Sequence, residues 1–449
     1  MSHPEAQLDS TSAADVAESS GQAPMQPLKT RAILVVIASF TLTLTACGLN
    51  FAFGVYQELY ESLSGPFENA TPAQIDLIGT LGVSLMTIGA PFASAWTKSY
   101  SPTTITLIGG FLFASASILA SFSQALWQFV LTQGFLLGCG TCLAYIPAVT
   151  IAPSWFKERR GLAMGIVLSG TGVGGTIWAP VLSLLNDSIG FRNTLRLTGC
   201  VSFILITASG WILRWTPEME IQHRTERRPG QSRLRPPLAN WNIVRSRKFL
   251  AQAMGAVLQA AAYYTPVYFI STYARTLGYS ATAGASYIAL SNGTSALGKI
   301  LLGYIADRLG RLNVLAVCTL MSALATFALW FPSTIAADGR GLFVAYVVLY
   351  SVTAGAYVSL FPTALVELFG MQHFASINGL LYMLRGIGTL MGTPGAGALI
   401  RGRSRSGVQS KTTFEAPSLL IGGLLAGATL GCIWVRIEAM QQGGRKWKM

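Results

Sequence analysis

The chain has 449 residues, of which 51% are hydrophobic and only 11% charged, with a formal net charge of +13. That charged share is about half of what a soluble globular domain carries, which excludes most soluble readings and places the chain in lipid. The basic excess is spread over many loops instead of one face, so it fits a membrane topology signal and argues against nucleic acid as a partner.

Residues 1–30 are rich in Ser, Ala, Gln and acidic side chains and lack a basic start followed by an apolar run. They read as a disordered cytosolic tail, not as a secretory signal. Apolar stretches then recur at 32–56, 75–97, 103–125, 127–152, 161–186, 194–215, 249–272, 282–305, 312–333, 341–366, 375–400 and 416–437. A bilayer core takes roughly 20 apolar residues per helical span, and every backbone group in lipid must be bonded internally, so each stretch is predicted to be a helix. The fold class is therefore all-α and integral to a membrane, with the bilayer itself as a partner. The one long polar stretch, 216–248, carries eight basic residues from Arg224 to Lys248 together with Pro229, Pro236 and Pro237. It divides the chain into an N-terminal six-helix bundle, 31–215, and a C-terminal one, 249–437, leaving a tail at 438–449.

Lys and Arg concentrate in cytoplasmic loops. With the N-terminus inside, roughly 21 of them fall on the cytosolic side and about 8 outside. Half of the outside set, Arg401, Arg403, Arg405 and Lys411, lies in the last external loop, which is the weak point of the assignment. Both tails are predicted to be cytosolic, in a plasma-membrane protein. Asn69-Ala70-Thr71 in the first external loop is a glycosylation candidate at Asn69. All six cysteines fall inside spans, where a thiol acts as a small hydrophobe, so no disulfide framework is implied. Histidines occur only in tails and loops. No cofactor or metal is expected, and without a G-x-x-x-x-G-K loop direct use of ATP is not expected either.

In the turn after the eighth span stands Gly303-Tyr304-Ile305-Ala306-Asp307-Arg308-Leu309-Gly310-Arg311. Gly303 permits close helix packing, Gly310 allows a sharp turn, and Asp307 can accept from free amides at a neighbouring helix N-terminus. The basic pair Arg308 and Arg311 is expected to face lipid phosphates. This nonapeptide resembles the loop signature of the major facilitator superfamily, in which it would act as a conformational latch. In the first half, Thr97 stands at the place of Asp307 and Lys98 keeps a cation beside it, so the latch is expected to be asymmetric.

The segment from Ser154 to Gly165, with Lys157, Arg159 and Arg160, reads as a basic, aromatic cytosolic anchor leading into a glycine-rich helix. Together with Gln133-Gly134, Pro147-Ala148, Gly174-Gly175 and Asn50-Phe51-Ala52-Phe53-Gly54, it resembles the monocarboxylate-porter-like group of fungal facilitators. That resemblance implies two six-helix bundles around an alternately exposed cavity, in a monomer carrying a small-molecule substrate. Glycines at 161, 170 and 174 match in part a spacing of proton-driven exporters, although Gly175 replaces their proline.

Ionisable residues within spans are costly and usually functional. Two stand out: Arg385, near the middle of the eleventh span, and Lys299, in the eighth, whose stem is long enough to reach the interface. Tyr145 and Asn50 complete the substrate-binding candidates. In related animal porters the eighth helix pairs an aspartate with an arginine four residues later; here Ser295 and Lys299 hold those places, which puts proton coupling by such a pair in doubt. The two cations and the resemblance point to an organic anion such as a monocarboxylate. Efflux of a fungal secondary metabolite is the alternative, because the fold does not set direction. A non-transporting membrane receptor is a further alternative. An intramembrane enzyme is not, since the spans hold no histidine pair, carboxylate pair or metal cluster.

Overall fold

The computed structural model describes residues 25–61, 72–225, 241–403 and 410–443. Asn69, Arg405, most of both tails and residues 226–240 of the central segment lie outside the described residues. Twelve long helices follow one another. They are α1 Lys29–Tyr60, α2 Gln74–Ile88 continued by Ala90–Ser99 after a 44° bend, α3 Pro102–Phe122, α4 Leu126–Trp155, α5 Arg160–Ile189 and α6 Phe191–Ile212. The second half holds α7 Arg247–Thr276, α8 Ala281–Leu309, α9 Arg311–Ile335, α10 Arg340–Phe369, α11 Met371–Arg403 and α12 Lys411–Gln441. They coincide with the twelve predicted spans and pack as two bundles of six.

Nine of the twelve are long and apolar enough to cross a membrane, with α2 counted as one bent span. The remaining three, α7, α8 and α11, have 30, 29 and 33 residues, so at about 1.5 Å per residue they too exceed a bilayer core. They are less apolar because they carry the buried polar side chains Gln252, Gln259, Lys299, Asn378 and Arg385. Helices of that kind belong against other protein, where these groups avoid lipid.

Lipid gives helices no hydrophobic reason to associate, so close backbone approach at small residues has to hold them. Helix α5 shows this on two faces. Gly170 and Gly174 lie against α1, where a Cβ on Gly174 would sit 2.8 Å from the Gly48 Cα. There α1 widens into a π turn at Thr43–Cys47, and the Thr43 hydroxyl donates to the Val167 carbonyl of α5 at 2.5 Å. The other face, with Gly161, Gly165 and Gly172, meets α8 of the second bundle. Helix α11 repeats the arrangement, with Gly388 and Gly392 against α7 and Gly379 and Gly386 against α2. The two bundles therefore meet along α5 with α8 and along α2 with α11. The side where α1 begins and α12 ends is called the tail face below, and the opposite side the far face.

Candidate functional site

Near the midpoint of α11, between the bundles, the Arg385 side chain is only 6% exposed. Its guanidinium carbon lies 4.7 Å from the ring centre of Phe361, 5.4 Å from Tyr357 and 5.8 Å from Tyr382. Tyr357 and Phe361 are four residues apart and share one face of α10, while Tyr382 precedes Arg385 by three on α11, so helical spacing aligns each pair and the packing of α10 against α11 closes the cage. A desolvated cation over a ring gains about 2 kcal/mol, against roughly 2.5 to 3.5 kcal/mol for placing an arginine at the bilayer centre. The rings offset the charge but accept nothing in the plane of its N–H groups. Nη1 is buried without a hydrogen-bond partner, although Pro394, further along α11, frees a carbonyl of that helix.

Lys299 does not extend to the interface. It is 3% exposed, and its Nζ donates to the Thr171 hydroxyl of α5 at 2.6 Å, across the bundle boundary. It borders a small cavity whose walls include Phe51 and Thr171 from the first bundle and Tyr263, Asn292 and Ser295 from the second. No ion pair among the described residues involves Arg385 or Lys299.

Tyr145 joins this site, because its hydroxyl lies 3.2 Å from that of Tyr382. Asn50 does not. Its amide donates to the Ala46 carbonyl and the Thr141 hydroxyl at 2.8 and 2.9 Å, tying α1 to α4 inside the first bundle. Sequence reading missed the ring cage and Thr171, although the spacing of Tyr357 with Phe361 and of Tyr382 with Arg385 carried the signal.

At the tail face the Asp307 carboxylate accepts the N–H of Gly161 at 2.8 Å and of Leu162 at 2.9 Å, capping the start of α5 from the other bundle. Gly310 turns the chain at φ 96°, a conformation favoured by glycine. Gly303 faces the Gly161 backbone so closely that a Cβ there would lie 3.0 Å from its carbonyl carbon. Arg311 departs from expectation: it is buried, not turned to lipid phosphates. Its guanidinium bonds Asp307 and, at 2.9 Å, Glu367, and donates to the Glu158 carbonyl at 3.1 Å. The pull of two carboxylates and a carbonyl outweighs its hydration. Arg308 alone of the pair is exposed, packed over the Tyr304 ring.

The basic anchor likewise divides. Lys157 and Arg159 are exposed, but Arg160 turns back to donate to the Pro153 and Phe156 carbonyls at 2.9 Å each, fixing the turn before α5. In the first half, Thr97 is fully buried and its hydroxyl bonds the Ala93 carbonyl of its own helix, while Lys98 reaches Ser376 of α11 at 3.3 Å.

Comparison with known proteins agrees with this architecture. The family model described as Major Facilitator Superfamily matches residues 32–393. The MFS-type transporter pynF of Aspergillus niger is 29% identical over 84% of this chain and 83% of its own length. The agnestins efflux protein AgnL12 of Paecilomyces divaricatus is 29% identical over 87% and 86%. Among solved structures, the fucose:proton symporter FucP of E. coli superposes with a TM-score of 0.61 at 15% identity, covering 89% of this chain and 98% of that one. With twelve helices in two bundles, an inter-bundle cavity and this match over most of its length, the chain belongs to the Major Facilitator Superfamily of membrane transporters.

Proposed function

We propose that the protein carries small organic anions by alternating access, in the direction of export from the cytosol. The observation that carries this reading is Arg385, a buried cation between the bundles with an Nη1 that lacks a hydrogen-bond partner. A buried donor without a partner costs about 1–3 kcal/mol, and a carboxylate on the substrate would remove that cost while balancing the charge. Lys299, held by a single hydroxyl of the opposite bundle, supplies a second positive group. Export is favoured by the relative named as an efflux protein. The charge bias of the loops supports a cytosolic tail face, and in this reading the membrane is the plasma membrane. Proton coupling falls in this reading to Lys299, because the described residues place no carboxylate beside either cation.

The test is exchange in reconstituted vesicles. Labelled carboxylates should be taken up against an internal pool of the same acid, their uncharged amides should not, and Arg385→Gln should remove the difference. Equal transport of acid and amide by the wild type would overturn the reading.

A further inference from the structure

We infer that the anion carried is an aromatic acid, a carboxylate borne on a planar system of two or more fused rings, in preference to a short aliphatic acid. This deepens the anion reading and rests on it.

Two ring pairs cross the bundle boundary on either side of Arg385. Toward the far face, Phe51 of α1 stacks on Tyr264 of α7 at 6.0 Å. Toward the tail face, Tyr145 of α4 meets Tyr382 of α11 edge-on at 5.9 Å. Both pairs continue into the second bundle, Tyr264 onto Tyr263 at 4.9 Å and Tyr382 onto Phe361 at 5.8 Å. Any rocking of the bundles that opens a path to Arg385 has to separate at least one of these pairs and leave ring faces bare. A flat aromatic substrate entering the gap replaces ring–ring contact with ring–substrate contact, so the opening costs little. A short aliphatic acid offers no such replacement.

One further observation agrees. The Tyr357 hydroxyl, beside Arg385 in the cage, is buried and has no hydrogen-bond partner, which provides for an oxygen substituent on the ring.

The test uses the purified full-length protein and equilibrium dialysis with three labelled probes: 2-naphthoate, lactate and 2-naphthylmethanol. Naphthoate should bind at least about tenfold more tightly than either of the others. Tyr264→Leu, which keeps apolar volume without the ring, should narrow the gap over lactate. Lactate binding as tightly as naphthoate would overturn the aromatic inference and leave the anion reading standing. Naphthylmethanol binding as tightly as naphthoate would remove the anion reading, and with it this inference. Both outcomes are measured on the wild-type protein, so neither depends on a variant folding.

Discussion

Asp307 and Gly161 belong to different bundles, yet the carboxylate of the first accepts the backbone N–H of the second at 2.8 Å. The contact can exist only while α5 and α8 meet at the tail face. It needs glycine as well, since a Cβ on Gly161 would stand 2.8 Å from the Asp307 oxygen it bonds. A charge-assisted cap that forms in one arrangement and is absent in the other is the kind of bistable contact that rigid-body rocking requires.

Replacing Asp307 with Asn should therefore shift the bundles away from the closed tail face. A negative charge at a helix N-terminus contributes up to about 2 kcal/mol in partly buried settings, so the equilibrium should move by up to about thirtyfold. Arg311 would lose one of its two carboxylate partners as well. Vesicle flux per surface protein should fall several-fold in Asp307→Asn and change less in Thr97→Asp, because the Thr97 side chain bonds within its own helix and not across the bundle boundary. Wild-type flux in Asp307→Asn would remove the latch from the mechanism.

The two glycine faces of α5 should respond differently to an added methyl group. At Gly174 the methyl meets α1 within one bundle, so Gly174→Ala should lower the melting temperature of the purified protein while the flux of each folded molecule stays near wild type. At Gly303 it meets Gly161 across the boundary, so Gly303→Ala should leave melting nearly unchanged and alter flux. The opposite pattern would mean that α5 and α8 do not separate during transport.

Much of this fold was legible because its signals are contiguous in the chain. Span length and apolarity located all twelve helices, and the nonapeptide from Gly303 to Arg311 placed a carboxylate at the right end of α8. What escaped was set by distant partners. The inward turn of Arg311 depends on Glu367, a residue near the end of α10. Asn50 resembled a site residue as a polar group in a span, and only its contact with Thr141 of α4 shows its structural use. Lys411, one of the cations that broke the charge bias, has a local partner, as does Arg340, which begins α10 at the same far face. Lys411 donates to the Ala336 carbonyl and Arg340 to that of Leu277, each at the C-terminal end of another helix, where a positive charge is favourable.

With those partners accounted for, the segment joining α11 to α12 is expected to be external despite its basic residues. Ser406→Cys, in a background without native cysteines, should react with a membrane-impermeant maleimide in intact cells. Reaction confined to permeabilised cells would put the segment, and with it the far face, in the cytosol.

Arg385 offers the sharpest separation between a binding role and a structural one. As a structural group it would need only its charge over the three rings, which Lys could supply in some measure. As an anion receptor it needs the planar fork that pairs two N–H groups with two carboxylate oxygens, which Lys lacks. Arg385→Lys should then raise the half-saturation concentration for a transported carboxylate by roughly tenfold, and Arg385→Gln by more, since a charged hydrogen bond contributes about 1.5–3 kcal/mol. Melting of both variants should stay close to wild type, because Lys keeps a charge over the rings and Gln loses the ring contacts together with the buried charge that they offset. Half-saturation unchanged in Arg385→Lys and Arg385→Gln, with both variants folded in the membrane, would make Arg385 a strut and leave Lys299 as the cation at the cavity.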